Sequence, residues 1–160
     1  MEENQLERAI RLAVKVHKGQ KDRTNKPYIF HVLRVMMQGR NLEEQTLGVL
    51  HDVLERSALT AADLELKGFP PRVLKALDHI SRRKEEDYSA YIDRVAQDEL
   101  ALRVKLHDLS DKMDIRHAKE LDLADLKRYN RQLAAYHKLR RLAGEAALAN
   151  GQAETQGRSI

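Results

Sequence analysis

The residues best placed to do chemistry are a histidine beside an aspartate, His51-Asp52, in the run Gly48-Val49-Leu50-His51-Asp52-Val53-Leu54-Glu55. Leu47, Leu50, Val53 and Leu54 recur at helical spacing, so the pair lies in a segment with one buried face. Burying an ionisable pair is costly unless something compensates it. Successive positions on a helix are about 100° apart, which lets the two side chains converge on one ion between them. Glu55, four residues after His51 and three after Asp52, falls one turn further along the same face. A core histidine beside an aspartate that caps backbone N–H groups is the plain alternative for this stretch taken alone.

Two further places supply matching groups. His31 opens an apolar segment in Lys26-Pro27-Tyr28-Ile29-Phe30-His31, and Asp108 lies in the helical pattern Val104-Lys105-Leu106-His107-Asp108-Leu109. Together His31, His51, Asp52 and Asp108 offer two imidazoles and two carboxylates. A mixed nitrogen and oxygen set of this kind suits a divalent ion such as Mn²⁺, Fe²⁺ or Zn²⁺. The chain contains no cysteine, so disulfides and thiolate ligands are excluded.

The order and spacing of four motifs resemble the HD-domain metal-dependent phosphohydrolases, and among them the RelA/SpoT-type hydrolases of guanosine polyphosphates. The motifs are His17-Lys18-Gly19-Gln20, Pro27-Tyr28-Ile29-Phe30-His31, Leu50-His51-Asp52-Val53-Leu54-Glu55 and Val104-Lys105-Leu106-His107-Asp108. The resemblance covers roughly residues 5 to 115. It implies that His31, His51, Asp52 and Asp108 hold one divalent metal, Mn²⁺ first, with Fe²⁺, Zn²⁺, Co²⁺ or Mg²⁺ as alternatives. Such an ion polarises a phosphoryl oxygen and makes hydroxide available near neutral pH. Glu55 is then the catalytic residue that orients the water or acts as general base. The implied reaction is hydrolysis of a nucleotide phosphoester, with pyrophosphate leaving the ribose 3′ position if the substrate is ppGpp. His17, Lys21, Arg23, Lys26, Lys105, Lys112 and Tyr88 are the candidate substrate-binding residues.

The sequence departs from the family pattern at several points. Arg56 follows Glu55 where an acidic neighbour is expected, and a cation there would weaken Glu55 as a base. Lys112 stands where an asparagine is expected, His107 replaces a small residue, Val32 follows His31 in place of proline, and Asp22 interrupts a basic pair. The alternative function is a catalytically weak nucleotide-binding or sensor protein on the same scaffold.

The remaining sequence must position these groups. The 160 residues are expected to form one domain, 1–149, followed by a polar tail over 150–160 expected to be disordered. Helices are expected over 4–17, 27–37, 41–57, 61–67, 70–80, 87–96, 98–113 and 123–148. Gly19 and Gly68 follow helix ends, Asn41 and Thr60 serve as N-caps, and Pro27 and Pro71 fall in first turns. No strand pattern or repeat is present, and the fold class is an all-α orthogonal bundle of seven to eight helices. Leu126, Tyr129, Leu133, Tyr136, Leu139 and Leu142 mark the inner face of the last helix, which packs on the core or supports a homo-oligomer.

The 29 basic residues are interspersed with 25 acidic ones, so a solvated mixed surface accounts for the net charge of +4. No recognition helix or aromatic-basic interleaving supports nucleic-acid binding, and a small nucleotide is the expected partner. His17 reads equally as a residue near the site or as a helix C-terminal histidine favoured by the dipole. The loop 20–26 and the turn Arg82-Arg83-Lys84 read either as phosphate-facing or as solvated surface, the latter favoured for the turn. Tyr88 stacks on a base or packs in the core. No apolar run reaches membrane length and the N-terminus lacks a signal-peptide pattern, so a cytoplasmic protein is expected.

Overall fold

The computed structural model describes the backbone over residues 4–156 and side chains over 4–146. Among these residues there are eight α-helices and no strand. They are α1 (Gln5–Val16), α2 (Ile29–Met37), α3 (Leu42–Leu50), α4 (Ala61–Leu66), α5 (Pro71–Ile80), α6 (Tyr88–Ala96), α7 (Glu99–Lys112) and α8 (Leu123–Gln156). A short 3-10 turn over Ile115–His117 joins α7 to α8. α8 continues through residues 150–156 of the tail expected over 150–160, and the rest of that tail lies outside the described residues.

Local chemistry sets most helix starts. Asn4, Asn41, Asp87 and Asp98 each accept a first-turn backbone N–H, and Thr60 with Asp63 forms a reciprocal capping box. At Asn41 no such reciprocal box forms. Glu44 reaches back to the N–H of Arg40 at 2.9 Å and pairs with Arg103 at 2.9 Å, which allows its carboxylate to be buried. Gly19 and Gly68 adopt positive φ of 76° and 75°, a conformation glycine enters without a Cβ clash.

α2 and α3 pack closely, and α7 crosses behind them, contacting α2, α3, α5, α6 and α8. Gly48 permits the α2–α3 approach, since a Cβ there would meet the Met36 Cα at 3.0 Å. The core includes Val32, Val35, Leu47, Leu50, Leu77, Val104 and Leu139. On α8 the buried residues are Ala135 and Leu139, whereas Leu126 and Leu133, expected on the inner stripe, are exposed. Val14 on α1 is likewise exposed.

The central helix is shorter than its sequence pattern. α3 ends at Leu50 with His51 as its C-cap, and residues 51–58 form a succession of turns. His51, Asp52 and Glu55 therefore do not share a continuous helix face. The turn stays compact because Val53 N–H donates to Leu50 O, Arg56 N–H to Asp52 O, and Ser57 Oγ to Val53 O.

Candidate metal centre and active site

Three elements bring four residues to one buried point. His31 comes from the first turn of α2, His51 and Asp52 from the end of α3, and Asp108 from the last turns of α7. His31 Nε2 lies 3.3 Å from His51 Nε2. Asp108 Oδ1 is 3.1 Å from His31 Nε2 and 3.4 Å from His51 Nε2. Asp52 Oδ2 is 3.3 Å from His51 Nε2 and 3.8 Å from His31 Nε2. Ligand atoms of His31, His51 and Asp108 all lie within 4.8 Å of one another.

The outer nitrogens of both imidazoles are already engaged. His31 Nδ1 is 2.6 Å from Asp111 Oδ2, and His51 Nδ1 is 2.7 Å from Gly48 O. With Nδ1–H donating in each ring, both Nε2 lone pairs face inward, toward each other and toward carboxylate oxygens. Acceptors at that spacing repel unless a cation lies among them. Asp108 Oδ1 is moreover buried without an aligned hydrogen-bond donor. This donor set fits a divalent ion held by nitrogen and oxygen.

Asp111 was not singled out by sequence, although it falls one turn beyond Asp108 on the same helix. It accepts from His31 and takes a two-point contact from Arg34, at 2.6 Å to Nε and 2.9 Å to Nη2. Burial opposes its charge, but these donors prevail and hold its pKa down at about 2. A carboxylate behind a ligating histidine fixes the ring and raises its basicity. Tyr28 plays the matching part at Asp52, donating its hydroxyl to Oδ2.

Asp52 and Asp108 keep their carboxyls well below the usual range. Burial works against this, but His51 and Lys112 around Asp52, and Lys105 and Lys112 around Asp108, outweigh it. Burial likewise opposes charge on His51, yet the neighbouring aspartates raise its pKa to about 10, so that a proton on its inward nitrogen takes the place among these acceptors that a metal ion would displace.

Two cavities flank the cluster. The larger, about 830 Å³, lies between the 20–26 loop, the end of α7 and the start of α8. Lys21, Arg23, Lys26, Arg56 and Lys112 line it, together with Arg34, Arg116, Arg128 and Tyr129, which sequence reasoning did not select. Asp22, which interrupts the basic run, shapes this wall. Its Oδ1 accepts from Thr24 N, Thr24 Oγ1 and Lys26 N at 2.8 to 3.0 Å. The smaller, about 140 Å³, is lined by Asp52, Glu55, Arg82, Tyr88, Lys105 and Lys112 among others.

Lys105 is nearly enclosed, with Nζ 2.7 Å from Asp108 Oδ2. His17 lines neither cavity. It is buried behind Tyr28, with Nδ1 3.0 Å from Gln20 Oε1. Gln20 in turn donates to Val16 O and Arg56 O, so this motif ties the end of α1 to the turn after Asp52. Of the basic turn after α5, Arg82 reaches the small cavity, while Arg83 pairs with Asp78 on the surface. His107 is not in the cluster.

The weakening of Glu55 expected from Arg56 is outweighed by other groups. The Arg56 guanidinium stacks on the Tyr28 ring, 3.5 Å from its centroid, with Nε 3.9 Å from Asp52 Oδ2. Glu55 Oε1 instead accepts the Arg82 N–H at 2.8 Å. Its pKa is raised above that of an ordinary glutamate, first by desolvation and then by the charge of Asp52. That direction favours a general base working nearer neutrality.

No family model matches the chain. It is 30% identical over 122 residues to guanosine-3′,5′-bis(diphosphate) 3′-pyrophosphohydrolase of Aquifex aeolicus. That match takes in 69% of this chain and 17% of the relative, so the chain corresponds to about a sixth of the longer protein. Among solved structures, a metazoan SpoT ortholog that hydrolyses ppGpp superposes with a TM-score of 0.71 at 19% identity. The superposition covers 94% of this chain and 98% of the other. The chain is an all-α domain that shares the fold of the SpoT ortholog and resembles the guanosine polyphosphate hydrolases in sequence.

Proposed function

We propose that the chain is a metal-dependent phosphohydrolase that cleaves the 3′-pyrophosphate from ppGpp or a closely related nucleotide. The observation that carries this reading is the inward convergence of His31 Nε2, His51 Nε2 and Asp108 Oδ1, with a cation-lined cavity beside them. His31, His51, Asp52 and Asp108 would hold the ion, for which Mn²⁺ is the first choice. When bound, a divalent ion supplies charge for the phosphoryl oxygens and acidity for a water.

The chain's own residues then have distinct tasks. Glu55, with its raised pKa and its place in the small cavity beside Asp52, accepts the proton of the attacking water. Arg82 holds that carboxylate in place through its backbone N–H. Lys21, Arg23, Lys26 and Arg56 present positive charge to the phosphates from the large cavity. The tyrosines on the two walls, Tyr129 in the large cavity and Tyr88 in the small one, give flat apolar surfaces for a base or ribose.

Release of pyrophosphate from ppGpp, followed over a panel of nucleotides with added Mn²⁺, tests the proposal. The wild type should release it and His51→Ala should not. Nucleotide binding by the wild type without turnover would replace this reading with a sensor on the same scaffold.

A further inference from the structure

Lys112 approaches the cluster in a way that the proposed chemistry does not explain. Its Nζ lies 2.8 Å from Asp108 Oδ1 and 3.9 Å from Asp52 Oδ2. Asp108 Oδ1 is the same oxygen that stands 3.1 and 3.4 Å from the two inward imidazole nitrogens. The ammonium and a metal held by His31, His51 and Asp108 thus require one oxygen. The other Asp108 oxygen is occupied by Lys105.

The Lys112 contact is close but lacks hydrogen-bond alignment, since Asp108 Oδ1 keeps no aligned donor. It balances charge without satisfying the acceptor. A dication bound to that oxygen would stand within a few ångströms of the ammonium, in a site where screening is weak. The two cations exclude each other. Lys112 also has somewhere to go. It is the last residue of α7, its side chain is 31% exposed against 9% for Lys105, and it borders both cavities.

Building on the proposed metal reading of His31, His51 and Asp108, we infer that Lys112 is an internal stand-in for the metal. Its ammonium takes the Asp108 oxygen when no ion is bound, and a divalent ion enters by displacing it toward the cavities. There the displaced charge meets the phosphates of a bound nucleotide. Metal binding by this chain is therefore a cation exchange, weaker than the same ligands would give with a neutral residue at 112. Nucleotide and metal support each other, because an anion in the cavity receives the outgoing lysine.

The test is Mn²⁺ titration by calorimetry of the wild type, Lys112→Met, Arg56→Met and His51→Ala. Lys112→Met should bind Mn²⁺ at least about tenfold more tightly than the wild type. Arg56→Met removes a cation 3.9 Å from Asp52 that does not touch Asp108, and should change affinity by less than about threefold. Equal affinity of Lys112→Met and wild type, with binding lost in His51→Ala, overturns the inference and leaves the metal reading standing. An equal gain in both cation variants also overturns it, since general charge relief would then suffice. Absence of Mn²⁺ binding in the wild type and in Lys112→Met removes the metal reading itself, and the inference with it.

A second measurement needs no variant at this position. Acylation of lysines in the wild type, read by mass spectrometry, should label Lys112 several-fold faster once Mn²⁺ is bound, with Lys105 unchanged. An unchanged Lys112 rate under saturating Mn²⁺ overturns the exchange.

Discussion

Asp111 Oδ2 stands 2.6 Å from His31 Nδ1, and the same carboxylate is gripped by Arg34. The contact joins α7 to α2 and sets which nitrogen of His31 faces inward. Asp111→Ala should lower Mn²⁺ affinity by about 10- to 100-fold, the usual effect of losing a carboxylate behind a ligating histidine. Calorimetric titration checks it, and an unchanged affinity would show that the packing of α2 alone orients the ring.

Glu55→Gln keeps the shape of the proposed base and removes its proton affinity. Turnover of ppGpp should fall by about 10²- to 10⁴-fold, while Mn²⁺ binding should change little, because Glu55 is not in the ligand cluster. In the wild type, the ionised carboxylate is the active form. Its pKa is raised above 4.5 by desolvation and Asp52. Activity should therefore be full above that raised pKa and fall as pH drops through it. A pH–rate profile with no acid limb assignable to Glu55 would remove it from the role.

Gly48 lies where α3 passes closest to α2. A Cβ would meet the Met36 Cα at 3.0 Å and the Met36 N at 3.1 Å, both backbone atoms that cannot rotate away. Gly48→Ala should destabilise the fold by about 1–3 kcal/mol through overpacking. Since His31 and His51 sit on these two helices, it should also weaken metal binding. Denaturant melts read the first effect; full stability would mean that the helices separate at no cost.

Acid sensitivity should arise partly far from the metal cluster. Arg94 holds Glu86 through two contacts of 2.8 and 2.7 Å and also donates to the carbonyls of Asp78, His79 and Ser81. The Arg94 contact outweighs desolvation and lowers the Glu86 pKa to about 2. A depressed carboxylate stabilises the fold at pH values above the unfolded pKa of 4.5, and this contribution is lost as pH falls toward 2. Glu86→Gln should be less stable than the wild type at pH 7 and should lose less stability between pH 4.5 and 2. Parallel pH profiles for the two proteins would count against the pair.

The helical architecture and the candidate ligands were legible in the amino-acid sequence alone. The caps at Asn41 and Thr60 act over three residues or fewer, which made them legible locally, whereas the caps at Asn4, Asp87 and Asp98 emerged only from the structure. His31, His51 and Asp108 could be named because each is an ionisable residue in an apolar helical pattern, and the structure brings the three together. What surrounds them is a matter of tertiary structure. Asp111 meets His31 across 80 positions, and Tyr28 meets Asp52 across 24. No local pattern encodes such pairs. The apolar run that reads as one helix from 41 to 57 stops at Leu50, since helical spacing does not show where a chain leaves the helix to form turns. Arg56 follows Glu55 in the chain, yet its guanidinium packs on the Tyr28 ring, and Lys112 enters the cluster from the end of α7. Adjacency in sequence does not fix which charge acts on which; the distances set by packing do, because Coulomb energies fall with separation and with solvent screening.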